Sequence, residues 1–361
     1  MGGFCDIMME SRDQFCYIIQ DFVDCDDAMP FMTFPKTTLP HGVDVVDWAI
    51  GDAPLRFDNG LAAAIGNFDG VHLGHQHLIK AAMADGKTPA VITFAPHPRR
   101  FFSPVSDGFY LCGEADKLAF IASLGVRVIL RLTFNDAMRN TSAEDFITKV
   151  LPALGVQALY AGEDFGFGNN RSGGMDMIDR LGRDHGISTH PVAILQEDQD
   201  AISSTRIRGL ISQGEMAQAA AMLGRPFAIS GAIIKGDQRG RTIGFPTANM
   251  TLDEMTKPAF GVYSIAMAVP ESSDGDQAPK IYPGVANLGI RPTAPDRGVL
   301  LESHLFGYDG DLYDQRVSVF LLDFIRPERA FDNFDQLREQ IALDAESAKR
   351  FHLDHTGLLS Q

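Results

Sequence analysis

From Leu61 onward, short apolar runs alternate with amphipathic segments. Residues 61–66, 90–94, 126–132, 158–161 and 188–195 read as strands, and residues 75–84, 113–124, 143–154 and 175–185 as the helices between them. Strands separated by helices predict a parallel sheet with helices on both faces. Ligands of such sheets bind beyond the carboxyl ends of the strands, so the loops after Ile65, Phe94 and Ala161 are the places to look. The pattern changes near Arg225 and Pro226. Residues 227–234, 262–269, 280–288, 300–305 and 316–324 then alternate with turn residues, which predicts antiparallel strands of a barrel or sandwich. The polar stretch 271–279 reads as a hairpin loop. A last segment, 332–352, carries Phe334, Leu337, Ile341, Ala345 and Ala348 at helical spacing and predicts a helix capping that second domain. The order is α/β first and mostly β second.

Residues 1–40 stand apart. They are acidic and rich in methionine (Met1, Met8, Met9, Met29, Met32), and residues 30–40 are punctuated by proline like a linker. They are expected to be an N-terminal extension, with a translation start at Met29 or Met32 as an alternative. The remaining boundaries are drawn at 41–222 for the first domain and 223–361 for the second.

Length and composition fit this plan: 361 residues, 45% hydrophobic and 22% charged, suffice for two domains with their own cores. The net charge of −16 argues against a duplex nucleic-acid partner, whose binding rests on Lys and Arg contacts to phosphate. It leaves nucleotides open, since a few local donors and a divalent cation hold them. Cys5, Cys16, Cys25 and Cys112 form no CxxC pair and no disulfide framework, which points to a reducing compartment. No run approaches the ~18 apolar residues of a membrane span, and Asp6, Glu10, Arg12 and Asp13 interrupt any secretory signal. Asp6 also stands where a myristoylation motif wants Ser or Thr. A cytoplasmic location without a membrane partner is expected.

The densest chemical signal is the string Gly66, Asn67, Phe68, Asp69, Gly70, Val71, His72, Leu73, Gly74, His75 between a predicted strand and a predicted helix. Its glycines permit sharp turns and close approach to a ligand. His72 and His75 stand three apart at the helix start, where exposed N–H groups and the helix dipole favour an anion. Such imidazoles can donate hydrogen bonds as charge develops on phosphate oxygens. Zinc is the alternative for a His pair, and would recruit His77 and Asp69, but it leaves the glycines unexplained. Downstream, Ser203, Ser204, Thr205, Arg206 and Arg208 gather hydroxyls and guanidinium groups into one short stretch opening a helix. That is either an ordinary capped helix start or the second half of a triphosphate clamp.

The second half has its own constellation. Gly236, Gly240 and Gly244 make a flexible arm, Pro246 stiffens its end, and Thr247 and Asn249 offer hard oxygen ligands suited to Mg²⁺. No Walker A string occurs, so a kinase here is not of the P-loop type. Glu302 and His304 share one face of a predicted strand, where a carboxylate can orient and deprotonate an alcohol. Arg291 lies in a turn-rich stretch running from Gly284 to Thr293. Read alone, each segment fits a glycine-rich hairpin or a solvated strand equally well.

Taken together, these strings resemble the prokaryotic bifunctional riboflavin kinase/FMN adenylyltransferase family over about residues 60–353. The first half is similar to the HxGH nucleotidyltransferases, which implies a Rossmann-like domain. There the strings Gly66–His75 and Ser203–Arg208 would hold ATP, through Gly66, Asn67, Phe68, Asp69, Gly70, His72, His75, Ser203, Ser204, Thr205 and Arg208. The loop Gly162–Gly168 with Asn169 and Arg171 looks like the family's flavin-side loop and assigns Asp164, Phe165 and Asn169 to the flavin; the segment Phe94–Phe102 also matches. The second half resembles the riboflavin kinase module through Gly244–Asn249, Gly261–Tyr263, Asn287–Thr293, Glu302–His304 and Asp311–Tyr313. It implies a six-stranded Greek-key barrel with a C-terminal helix. In it Gly236, Gly240, Gly244, Pro246, Thr247 and Asn249 would bind Mg²⁺–ATP, Glu302 would be the base, and Glu302 and Arg291 would meet riboflavin. One departure is Ala294–Gly298, where the family often carries a glycine-rich stretch. The resemblance implies riboflavin, FMN, FAD and ATP as ligands, Mg²⁺ as the cation, and a monomer or weak homo-oligomer. Rival readings are nucleotidyl transfer to another phosphate acceptor, a flavin-binding protein with inactive sites, and a metal-dependent hydrolase.

Overall fold

The computed structural model describes residues 42–103, 108–197, 200–235, 245–270, 279–290 and 298–355. Gly236, Gly240, Gly244 and Arg291, the extension 1–40 and most of the stretch 271–279 lie outside them. The chain divides into two compact units. One holds the described residues of Phe34–Ser106 and Lys117–Ser203, the other those of Asp107–Asp116 and Ser204–Gln361.

The first unit is built on a six-stranded parallel sheet: β1 (Asp44–Trp48), β2 (Leu61–Ile65), β3 (Thr88–Ala95), β4 (Val128–Thr133), β5 (Val156–Gly162) and β6 (Ser188–Val192), in the order β1-β4-β3-β2-β5-β6. Every residue of β2 is buried, as expected of a central strand covered on both sides. Leu61, Ala63 and Ile65 join a core with Phe146, Ile147, Val150, Leu151 and Ile178, from the segments 143–153 and Met175–Gly182. The helix Leu73–Met83 contacts β2, β3 and β5 and buries Leu78, Ile79 and Ala82. The sequence pattern misses two features here. β1 precedes the region where the apolar runs begin, and the helix expected over 143–154 holds a π-type turn, Phe146–Val150, between two short α segments.

A two-residue antiparallel pair, β7 (Gln196–Glu197) and β8 (Asp200–Ala201), follows the sheet near the end of the first unit. The second unit is a six-stranded antiparallel sheet of β9 (Phe227–Ala232), β10 (Ala248–Thr251), β11 (Gly261–Val269), β12 (Lys280–Ile290), β13 (Val299–Leu305) and β14 (Arg316–Pro327), in the order β10-β13-β12-β11-β14-β9. β11, β12 and β13 form consecutive hairpins and β14 returns beside β11, which is the Greek key. Val269 faces Lys280 across the β11–β12 pair, as expected of a hairpin. An isolated bridge from Ile234 to Asn249 draws the two edges together and nearly closes the barrel. β10 escapes a pattern search because its four residues are too few to show alternation. The segment 108–116, which precedes β4 in the chain, belongs to this unit. The N–H groups of Phe109 and Tyr110 both donate to the Glu254 carbonyl (2.8 and 3.0 Å), and Thr256 N–H donates to the Tyr110 carbonyl at 2.7 Å.

The helix Phe334–Asp354 caps the barrel with Ala345 and Ala348 packed among Val262 and Val285. The expected apolar stripe is only half used: Phe334 is 56% exposed, and Leu337 and Ile341 are half-buried. The helix is anchored instead by buried polar residues in its second half. Asp344 accepts two hydrogen bonds from the Arg326 guanidinium, at 2.9 and 2.7 Å. Asp344→Ala would leave that cation without its partner and is expected to destabilise this unit by about 3–5 kcal/mol, read as a lowered unfolding midpoint. His352 reaches Ser264 Oγ at 3.2 Å and the Ile265 carbonyl at 3.0 Å through Nε2. Burial holds its pKa below the ordinary 6.5, although backbone carbonyls oppose that shift. The unfolded chain then binds a proton more readily than the folded one between the depressed pKa and 6.5, so stability is lost as pH falls through that window. His352→Gln should flatten this acid limb in thermal melts recorded from pH 7 to 5.

Candidate active sites

In the first unit the chain leaves β2 toward β3 and β4 on one side, then comes back to place β5 on the other. β2 and β5 therefore flank the switch point, and the loops beyond Ile65 and Gly162 open from it. The Gly66–His75 loop starts there with three residues in the left-handed region: Phe68 at φ 53°, Gly70 at 80° and Val71 at 41°. A β-branched residue at positive φ is strained. Burial holds it: Phe68, Asp69, Val71 and His72 are all at most 5% exposed, and Val71 N–H donates to the Phe68 carbonyl at 3.1 Å.

His72 is the N-cap of the helix Leu73–Met83, its Nδ1 accepting the His75 N–H at 3.4 Å. In its neutral form His72 therefore carries its proton on Nε2, the nitrogen turned away from the helix. The two imidazoles stack with centroids 3.6 Å apart and 18° between planes, and Phe68 meets the His75 ring edge-on at 5.2 Å. The glycine between them has a steric reason. A Cβ on Gly74 would lie 3.3 Å from the His72 ring and 3.4 Å from the Ile202 carbonyl oxygen. The structure thus brings His72 and His75 together at a helix start, with Gly66 half-buried and Asn67 exposed beside them. Among the described residues, no three His, Cys, Asp or Glu side chains cluster as a metal site would require.

Beyond β5, Asp164 and Asn169 are exposed. Phe165 is half-buried against the core and stacked on the buried Phe167, with centroids 5.6 Å apart. Asn169 N–H is fixed by the Thr141 carbonyl at 3.1 Å. Ser203 ends the first unit; Ser204, Thr205 and Arg208 lie in the second, on the helix Ser204–Gln213. Thr205 is exposed. Arg208 Nε donates to the Phe109 carbonyl at 2.7 Å, and its guanidinium lies 4.4 Å over the Phe109 ring.

In the barrel the ladder aligns the expected residues. Asn249 on β10 is directly opposite Glu302 on β13, which is directly opposite Asn287 on β12. Directly opposed residues project on the same face, so a carboxylate stands between two carboxamides in one cross-strand row. Asn249 is buried, and its amide nitrogen donates to the Thr247 carbonyl at 3.3 Å. His304, on the same face as Glu302, donates from Nδ1 to the Pro246 carbonyl at 2.9 Å and thereby fixes the strand entry carrying Thr247. The sequence places Asn287 only at the head of the string Asn287–Thr293; the register sets it beside Glu302.

The two units thus carry the fold and side chains of a nucleotidyltransferase and of a barrel-type phosphotransferase. The FAD synthetase family model matches residues 55–206 and the riboflavin kinase model matches residues 223–352. The chain belongs to the bifunctional riboflavin kinase/FMN adenylyltransferase family. It is 36% identical over 296 residues to the member from Pseudomonas fluorescens, covering 80% of this chain and 92% of the relative. It is likewise 36% identical over 297 residues to that of Escherichia coli strain K12, covering 81% and 93%. A solved structure titled a macrolide-efflux protein, from Streptococcus pneumoniae, superposes with a TM-score of 0.72 at 28% identity, covering 84% of this chain and 98% of that one. Its name gives another activity, and the likeness is one of fold.

Proposed function

We propose a division of labour between the two sites for the activities of this family. The chain is a riboflavin kinase and an FMN adenylyltransferase, using ATP in both reactions. In the barrel, the ribityl 5′-hydroxyl of riboflavin attacks the γ-phosphorus of ATP. The bond to the bridging oxygen breaks, ADP leaves, and Glu302 takes the hydroxyl proton. The cross-strand row supports this reading, because flanking amides can hold the carboxylate in one orientation. In the first unit an FMN phosphate oxygen attacks the α-phosphorus of a second ATP, and pyrophosphate leaves. His72 and His75 donate to the oxygens on which charge develops, and this needs no protein nucleophile. The stacked imidazoles at the helix start beside the switch point are the observation that carries this half.

Ser203, Ser204, Thr205 and Arg208 are assigned to ATP by family resemblance, as are Gly66, Asn67, Phe68, Asp69 and Gly70. Asp164, Phe165 and Asn169 are assigned to the flavin in the same way, as is Arg291 in the kinase, while Gly236, Gly240, Gly244 and Pro246 are assigned to the kinase ATP; Arg291 and these glycines lie outside the described residues. The donor set fits a hard cation: Thr247 and Asn249 present oxygens, with the Asn249 amide nitrogen turned to the Thr247 carbonyl. Thr247 and Asn249 would hold Mg²⁺, which when bound neutralises phosphate charge. No helix among the described residues is long and apolar enough to cross a membrane. We place the reactions in the cytoplasm, in a monomer or weak homo-oligomer without a nucleic-acid partner, within domains 41–222 and 223–361. Incubation with riboflavin, ATP and Mg²⁺ should yield FMN and then FAD by chromatography; the absence of both products would refute the reading.

A further inference from the structure

Beneath the Gly66–His75 loop lies a pair of side chains outside every motif. Lys117, on the helix Glu114–Ser123, is only 6% exposed, and Thr93, on β3, is fully buried. Lysine is seldom buried without a specific reason. Here Lys117 Nζ is 3.4 Å from Thr93 Oγ1, and Thr93 Oγ1 is 3.2 Å from the Asn67 carbonyl oxygen. The direction of the chain is fixed by chemistry. An ammonium only donates and a carbonyl only accepts, so the hydroxyl must accept from Lys117 and donate to Asn67. The ammonium charge polarises the hydroxyl and strengthens its second bond.

The consequence falls on one peptide group. In a planar trans peptide the C=O and the following N–H point in opposite directions. Holding the Asn67 carbonyl against β3 therefore turns the Phe68 N–H away from β3 and fixes the orientation of the whole peptide, between an exposed Asn67 and a fully buried Phe68. Phe68 is held at φ 53°, a conformation its own backbone does not favour, so an inward tether has work to do against relaxation. We propose that Lys117 and Thr93 are a positioning pair that pins the Asn67 carbonyl, fixes the start of the Gly66–His75 loop and so controls the affinity of the first site for ATP. This rests on the reading that the Gly66–His75 loop holds ATP.

The test uses the full chain and three variants. Thr93→Val keeps the volume and removes the hydroxyl, Thr93→Ser keeps the hydroxyl, and Lys117→Met keeps the length and removes the charge. Thr93→Val and Lys117→Met should raise KM for ATP in FAD formation from supplied FMN about tenfold, the size expected for one charge-assisted hydrogen bond. KM for FMN and the kinase activity of the same molecules should stay within twofold, and Thr93→Ser should behave as the parent. An unchanged KM for ATP in Thr93→Val overturns the proposal. So does equal impairment of the Ser and Val variants, or a loss spread over both substrates, since packing alone would give those. His75→Ala separates the underlying reading: if it leaves FAD formation intact, the loop is not the ATP site, whatever Thr93 does.

Discussion

Glu302→Gln should abolish FMN formation while FAD still forms from supplied FMN. Gln keeps the size and place of the side chain in the row between Asn249 and Asn287, so the barrel should keep its fold. It removes the one side chain of that row that can accept the hydroxyl proton. General-base removal costs typically on the order of 10²–10⁴ in rate, so the kinase turnover should fall by that factor with little change in KM for ATP. Steady-state rates for the two half-reactions, measured on one preparation, decide it. A variant that phosphorylates riboflavin at the parent rate would remove Glu302 from the chemistry, and loss of both activities would mean the sites are coupled.

His75→Ala is the mirror experiment. Its imidazole sits on that of His72 at 3.6 Å, at the start of the helix Leu73–Met83. Loss of one preorganised donor to developing phosphate charge costs on the order of 10²–10³ in rate. FAD formation from FMN should fall by that factor and the production of FMN from riboflavin should be untouched. The His72 cap uses only the backbone N–H of residue 75, so the helix start should survive the change. A variant with full adenylylation activity would count against any role for this pair.

The sequence was most legible where pattern and chemistry agree. The central strands show as apolar runs because β2 is buried along its whole length, and the Gly66–His75 string announces a strand-to-helix turn through its glycines. Less visible were features set by distant pairing. β10 is four residues long, and the row Asn249–Glu302–Asn287 exists only through the register of three strands. Lys117 and Thr93 sit in an amphipathic helix and an apolar strand, where a single polar residue carries no local signal. In the final helix, periodicity marks Phe334 as core although it is exposed, because the helix is fastened from its middle onward, by Asp344 to Arg326 and by His352 to Ser264. Arg208 is legible as a candidate phosphate ligand through the Ser203–Arg208 string, but its hydrogen bond from Nε to the Phe109 carbonyl joins residues 99 apart and has no local signal.

The placement of segment 108–116 bears on how the chain can be made and divided. It is synthesised before β4, yet its backbone partners are the Glu254 carbonyl and the Thr256 N–H, about a hundred and forty residues later. On the ribosome the segment must wait for most of the chain, so the first unit emerges with a stretch whose partners do not yet exist. Among the described residues, the chain passes from one unit to the other between 103 and 108, back at 116/117 and across again at 203/204. One cut near residue 203 therefore cannot separate two complete pieces: the released barrel would lack strap 108–116, and the other fragment would carry it without Glu254 or Thr256.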